Sequence, residues 1–195
     1  MLVETHPLSP FLPSNSKVLL LGSFPPPKYR WSMDFFYPNF QNDMWRIIGY
    51  LFFNDKNYFS IVNEHKFNYS KIVNFCESAG IAFFDTASAI QRLNNDASDK
   101  FIKIVQPADI NHLLYQIPDC NAVAATGQKA AEILSENWEC SLPNIGSFVN
   151  INLADKELAF FRMPSSSRAY PLAFENKANS YRILFESVNL LSPVN

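Results

Sequence analysis

The chain is poor in the residues by which phosphate loops and metal sites are usually recognised. It has five glycines, three cysteines and three histidines in 195 residues. Neither GxGxxG nor GxxxxGK(S/T) is present, so no phosphate-cradling glycine loop is supported. Cys76, Cys120 and Cys140 are widely spaced, odd in number and without a CxxC pair. They read as small apolar residues of a reduced, cytoplasmic protein. His6, His65 and His112 are isolated from one another and from any cysteine pair, so no zinc or iron–sulfur spacing exists. A GxSxG nucleophile elbow is also missing. No apolar run approaches the roughly 18 residues of a membrane span. Residues 1–10 include Glu4, His6 and two prolines, and lack the basic start and apolar stretch of a signal peptide. Neither sign of charge is in surplus. Lys+Arg 16 against Asp+Glu 18 leaves a net charge of -2, and charge alone therefore identifies no partner.

What is present is apolar and aromatic. Hydrophobic residues make up 48% and charged residues 17%, which excludes disorder. The length suits a single domain spanning 1–195. Phe 18, Tyr 8 and Trp 3 bring aromatics to 15%. Most must be core, and any surplus beside a cleft would stack on planar ligands. Four short apolar runs, 18–21, 81–84, 122–125 and 158–161, have the continuous apolarity of strands buried on both faces of a parallel sheet. Helical periodicity lies between them. Residues 42–53 carry Met44, Trp45, Ile48, Leu51 and Phe52 on one stripe, and 69–79 end before Gly80, a natural C′ glycine. Pro107 suits the first turn of a helix carrying Ile110, Leu113 and Leu114. Residues 128–136 and about 176–191 complete the set. Strands alternating with helices predict an α/β domain with helices on both sheet faces. Ligands then bind beyond the carboxyl ends of the strands. The four loops that follow the strands begin at Gly22, Asp85, Thr126 and Arg162, and should gather on one edge.

Those loops carry a resemblance. Gly22-Ser23-Phe24-Pro25 follows the first strand. Phe36-Tyr37-Pro38-Asn39-Phe40-Gln41-Asn42-Asp43-Met44-Trp45 is similar to an aromatic loop ending in Asn-x-Phe-Trp. Gly80-Ile81-Ala82-Phe83-Phe84-Asp85 is followed by Asp96-Ala97-Ser98-Asp99. Met163-Pro164-Ser165-Ser166-Ser167 is similar to a Leu-Pro-Ser-Thr-Ser loop. His6-Pro7-Leu8-Ser9-Pro10 and Thr126-Gly127-Gln128-Lys129-Ala130 fit the same order. In sequence the set resembles the uracil-DNA glycosylase superfamily, closest to its hypoxanthine and mismatch-specific uracil branches. No single motif is specific; the ordered set is. The resemblance implies a three-layer α/β/α sandwich around a central, mostly parallel four-stranded sheet. It implies hydrolysis of the N-glycosidic bond of uracil or hypoxanthine in DNA during base excision repair. No cofactor and no metal is expected, the partner is DNA containing a damaged base, and the chain is expected as a monomer without membrane contact.

The implied roles fall residue by residue. The usual water-positioning Asp or Asn of the first motif is replaced by Phe24, and Asn42 matches the residue implicated instead in the hypoxanthine branch. An amide accepts from water and donates to base or sugar; Asn42 is equally suited to cap the helix that follows. Tyr37 matches the aromatic that stacks on an extruded base, with a core aromatic as the alternative. Gly22, Ser23 and Phe24 would offer backbone N–H groups to the base, or form an ordinary turn. Asp85 matches a base-reading position and would accept N–H groups; an N-cap for 86–90 is the stronger reading from the residues alone. Ser165, Ser166 and Ser167 would hold phosphates, and backbone anchoring outranks a nucleophilic role. Met163 stands where major uracil enzymes carry a histidine, which removes a donor to the leaving base. Ser167 and Arg168 occupy the position of an apolar wedge. Arg168 would fill that gap or clamp a phosphate, unless it is a solvated surface arginine. Lys28 and Arg30 would add positive charge, and Pro26 replaces a glycine. Phe24 and Met163 also fit a relative that binds nucleic acid or a free nucleobase without catalysis.

Overall fold

In the computed structural model, residues 2–93, 102–153 and 156–192 are described. The segment 96–99 of the resemblance lies outside them. The main sheet contains β2 (Val18–Gly22), β5 (Ile81–Asp85), β8 (Ala122–Ala125), β9 (Ser147–Leu153) and β10 (Lys156–Arg162), in the order β5-β2-β8-β10-β9. The first four are mutually parallel, as the apolar runs predict, and every residue of β2, β5 and β8 is buried. The sheet has five strands rather than four. β9 pairs antiparallel with β10, and its residues alternate, with Phe148, Asn150 and Asn152 exposed. That alternation is the pattern of a strand wetted on one face.

The helices are α1 (Met44–Phe53), α2 (Tyr69–Ala79), α3 (Ile110–Gln116), α4 (Gln128–Asn137) and α5 (Phe174–Ser187). Phe52 of α1 meets Phe75 of α2 at 5.0 Å and Phe185 of α5 at 5.2 Å. Trp138, after α4, donates from Nε1 to Asn111 Oδ1 of α3 and packs on Phe160 of β10. Right-handed crossovers running in opposite directions from the centre put these two helix groups on opposite faces. The result is three layers. α2 ends at Gly80, whose φ of 75° is left-handed. A Cβ there would sit 2.5 Å from the Asn15 carbonyl oxygen, so glycine is required twice over. Pro107 does not open a helix. It ends a strand, and Asp109 instead caps α3 by accepting from His112 N.

A second sheet was not expected. β1 (Val3–Thr5), β6 (Ala87–Arg92) and β7 (Ile102–Pro107) form an antiparallel trio in the order β1-β6-β7. Phe24, Ala87, Ile90 and Ile102 make its small core. A two-stranded ribbon, β3 (Ser60–Ile61) with β4 (Lys66–Phe67), lies between α1 and α2 in the chain. Beyond β1, the backbone of Phe11 exchanges both hydrogen bonds with Phe83 of β5. The segment between Thr5 and Phe11 is thus fastened at both ends. Among the described residues, no helix is long and apolar enough to cross a membrane.

Cys76 and Cys120 are fully buried within the core. Burial pushes both thiols up, Cys120 to about 11, so at pH 8 each stays protonated and unreactive. Only Cys140 is partly open. A thiol reagent at pH 8 should titrate Cys140 first in the folded protein and all three after unfolding in urea. Prompt reaction of Cys120 in the folded protein would contradict this packing.

Candidate functional site

The chain leaves β2 toward β5 on one side, while β8 lies on the other. Loops after β2 and β8 therefore diverge, and a crevice opens between their carboxyl ends. A cleft of about 580 Å³ sits there, a size that suits a nucleotide-scale ligand. Gly22, Ser23 and Phe24 line it from β2, Asp85 from β5 and Thr126 from β8. Tyr37 and Asn42 line it from the aromatic loop, and Ser165, Ser166 and Ser167 from the loop after β10. Gly22 is needed because of close approach. A Cβ on it would lie inside van der Waals contact of Asp85 Oδ1 and 3.7 Å from the Tyr37 hydroxyl, obstructing the floor.

Asp85 does not cap a helix. The residues after it form β6, and its Oδ2 lies 2.8 Å from His6 Nε2. Both side chains are almost wholly buried. His6 is delivered by β1: its backbone N–H donates to Ser88 O. Its ring packs against Phe84 at 4.6 Å and Phe24 at 5.2 Å. Phe24 itself is buried, with its ring in the core of the second sheet.

Tyr37 forms one wall. Its φ of 50° is left-handed, which costs a residue with a Cβ about 1 kcal/mol or more. A hydrogen-bond chain holds it there. Thr126 Oγ1 donates to Leu21 O at 3.2 Å, and so accepts from the Tyr37 hydroxyl at 2.7 Å. The phenol is thereby tied to the end of β2, and the ring cannot swing freely.

Asn42 caps the helix. Its Oδ1 accepts from Met44 N, the first residue of α1, at 2.9 Å. Its Nδ2 makes no hydrogen bond to the described residues. One lone pair of Oδ1 and both amide hydrogens therefore remain for a ligand. The next residue, Asp43, is buried, and turns its carboxylate away from the helix backbone. Oδ1 accepts from Arg168 Nε at 2.8 Å, and Oδ2 lies 3.5 Å from Lys177 Nζ. Lys177 is itself buried and donates to Ser167 O at 2.7 Å. Asp43 N donates to Ser166 O, and the buried Tyr181 hydroxyl donates to Pro164 O. Burial holds that phenol well above its ordinary range, although its bond with Ser166 opposes the shift. The serine loop is thus fixed to α1 and α5 from three directions.

The predicted residues are brought together with two exceptions, Arg168 and Lys28, the latter engaged by Asp34. Arg168 does not line the cleft; its guanidinium is engaged by Asp43 and Gln41. Ser165 Oγ accepts from Ser167 N, and Ser167 Oγ accepts from Ala169 N. These hydroxyls anchor backbone, and their own hydrogens stay available. Arg46 is held below its ordinary range by burial and then by the like charge of Arg168, with Asp43 opposing. Arg46, Arg168 and Lys177 around one carboxylate leave a local positive surplus that the net charge conceals. Arg30 also lines the cleft, next to the exposed Tyr29. Sequence reasoning missed Lys177, Asp43 and the His6–Asp85 pair as contributors, because each depends on contacts distant in the chain. Among the described residues, no three His, Cys, Asp or Glu side chains gather as metal ligands.

Truncating one member of a buried ion pair leaves the other uncompensated. Lys177→Met should destabilise the fold by about 3 kcal/mol in urea unfolding. The same change in an Asp43→Asn background should cost clearly less. A single-variant loss below about 1 kcal/mol would show that the pair does not fasten the loop.

No protein-family model matches the chain, and no curated protein matches it. Among solved structures, it is similar to the solution NMR structure of a putative uracil DNA glycosylase from Methanosarcina acetivorans. Identity is 19%, with 96% of this chain and 99% of that chain covered and a TM-score of 0.66. The α/β/α architecture, with its mostly parallel central sheet, is a uracil-DNA glycosylase-like fold.

Proposed function

We propose that this protein is a monofunctional DNA glycosylase that hydrolyses the N-glycosidic bond of a deaminated base, uracil or hypoxanthine. The observation that carries the reading is the convergence of Tyr37, Asn42 and Asp85 on one cleft at the strand ends. An aromatic wall, an amide with free hydrogens and a carboxylate acceptor are what an extruded nucleotide requires. The neighbour from Methanosarcina acetivorans supports it through the shared fold.

The target nucleotide leaves the stack and its base lies against the Tyr37 ring, an interaction worth about 1–3 kcal/mol per base. Backbone N–H groups at Ser23 and Phe24 face the base carbonyls. Asn42 orients a water through the remaining lone pair of Oδ1. The water oxygen bonds to C1′ as the C1′–N bond breaks. The bonding electrons leave with the base, and a water proton ends on it. Serine hydroxyls at 165 and 167, with Arg168 behind them, receive the phosphates, while Ser166, buried beside Tyr181, holds the loop.

A second reading is motivated by Phe24 and Met163, both buried and apolar where relatives place polar catalytic groups. In it the cleft binds DNA or a free nucleobase without bond cleavage. Duplexes carrying one deoxyuridine, one deoxyinosine or neither, treated with protein and then alkali, separate the two. The glycosylase reading expects scission at a damaged base alone, reduced about 100-fold in Asn42→Ala. Salt-dependent binding without scission in any duplex, mismatch or single strand would select the binding reading. Full activity in a stably folded Asn42→Ala protein would remove Asn42 from the mechanism.

A further inference from the structure

The geometry points to His6 as a positioning residue that keeps Asp85 available as an acceptor without leaving a net negative charge beside the departing base. The inference rests on the glycosylase reading and deepens it. The two oxygens of Asp85 have different surroundings. Oδ2 faces His6 Nε2 at 2.8 Å. Oδ1 lies over Gly22 on the cleft floor and has no hydrogen-bond partner among the described residues. A carboxylate oxygen open to a cleft, on a side chain only 9% exposed, calls for a donor supplied by a ligand.

The ring of His6 determines the charge of the pair. Nδ1 lies 2.8 Å from Leu8 O, which can only accept, and 3.2 Å from Leu8 N, which can only donate. One ring nitrogen cannot serve both at once, and the shorter contact, which is to an acceptor, assigns a proton to Nδ1 over the longer bond from Leu8 N. Nε2 faces a carboxylate and must also carry a proton when Asp85 is ionised. The form that donates both to Leu8 O and to Asp85 is the imidazolium. The rings of Phe84 and Phe24, at 4.6 and 5.2 Å, suit a cation. Imidazolium and carboxylate together are neutral, yet Oδ1 remains a full acceptor.

The consequence is a substrate class. Uracil and hypoxanthine each present a lactam, a ring N–H beside a carbonyl. Cytosine and adenine present a ring lone pair at the same position, which a carboxylate repels. Oδ1 therefore favours a deaminated base over the cytosine or adenine it came from, and other contacts must separate it from thymine and guanine, which carry the same lactam. The base leaves as an anion, and an uncompensated carboxylate would oppose that departure. His6 removes the opposition and leaves the acceptor in place.

The test is single-turnover cleavage of the duplex that the wild-type chain processes. His6→Phe deletes charge and hydrogen bond together. His6→Gln keeps an N–H for Asp85 but no charge. The bond-cleavage rate should fall about 100-fold in the first and roughly tenfold in the second, with substrate affinity changed far less. Adding Asp85→Asn to either should restore roughly tenfold, because an amide needs no compensating charge. His6→Gln carries the experiment if His6→Phe does not fold. Rates in both His6 variants within about threefold of wild type, or a double variant no faster than its single, overturn the inference. No base release by the wild-type chain overturns the glycosylase reading itself, a separate outcome.

Discussion

The shape of the cleft depends on one buried carboxylate. Asp43 stands at the start of α1, between Asn42 in the cleft and Trp45 in the core, and it is held by Arg168 and Lys177. Through these cations it reaches the serine loop, whose carbonyls take hydrogen bonds from Asp43 N and Lys177 Nζ. A solvated ion pair would contribute little. Here Lys177 is 2% exposed, and removing either partner strands a charge in the interior. Two loops far apart in sequence are therefore forced into one register. The isolated bridge between Asn42 and Ser167 is the visible result. The placement of Asn42 and the serine hydroxyls around a common space follows from that constraint.

A second constraint lies across the cleft. The chain from Val3 to Phe11 is pinned to β6 at one end and to β5 at the other, which carries His6 onto Asp85. The small sheet thus packs Phe24 into its own core and supplies the partner for the cleft carboxylate. Phe24 is then less a failed catalytic position than a packing residue. Its ring sits in the core of the second sheet and packs against the His6 ring. In the proposed mechanism the polar work in the cleft falls to Asn42 and Asp85, with Tyr37 as the rigid wall.

Much of the main sheet was legible because burial on both faces leaves no room for polar residues. The runs at 18–21, 81–84 and 122–125 coincide with β2, β5 and β8 within one residue. β9 was missed although Val149, Ile151 and Leu153 alternate with exposed residues; the asparagines between them are poor strand formers and weaken the pattern. β6 and β7 carry Ser88, Gln91, Lys103 and Gln106, too polar to be read as strands. At the cleft, the local motifs identified the residues that line it. Their polar partners escaped because they are set by tertiary contact. His6 and Asp85 are 79 positions apart, and Arg168 and Asp43 are 125 apart. Asn42 was ambiguous between cap and cleft residue, and the geometry makes it a cap with a free amide nitrogen.

The central claim is that water, oriented in this cleft, replaces the base at the sugar. The most direct measurement is product mass after incubation of a deoxyuridine or deoxyinosine duplex in water enriched in oxygen-18. The account predicts intact free base without label and an abasic sugar carrying one heavy oxygen at C1′. Exchange with solvent at C1′ is controlled by a preformed abasic duplex. Release of no base from any substrate, or release with the label absent from freshly formed abasic sugar, would contradict it.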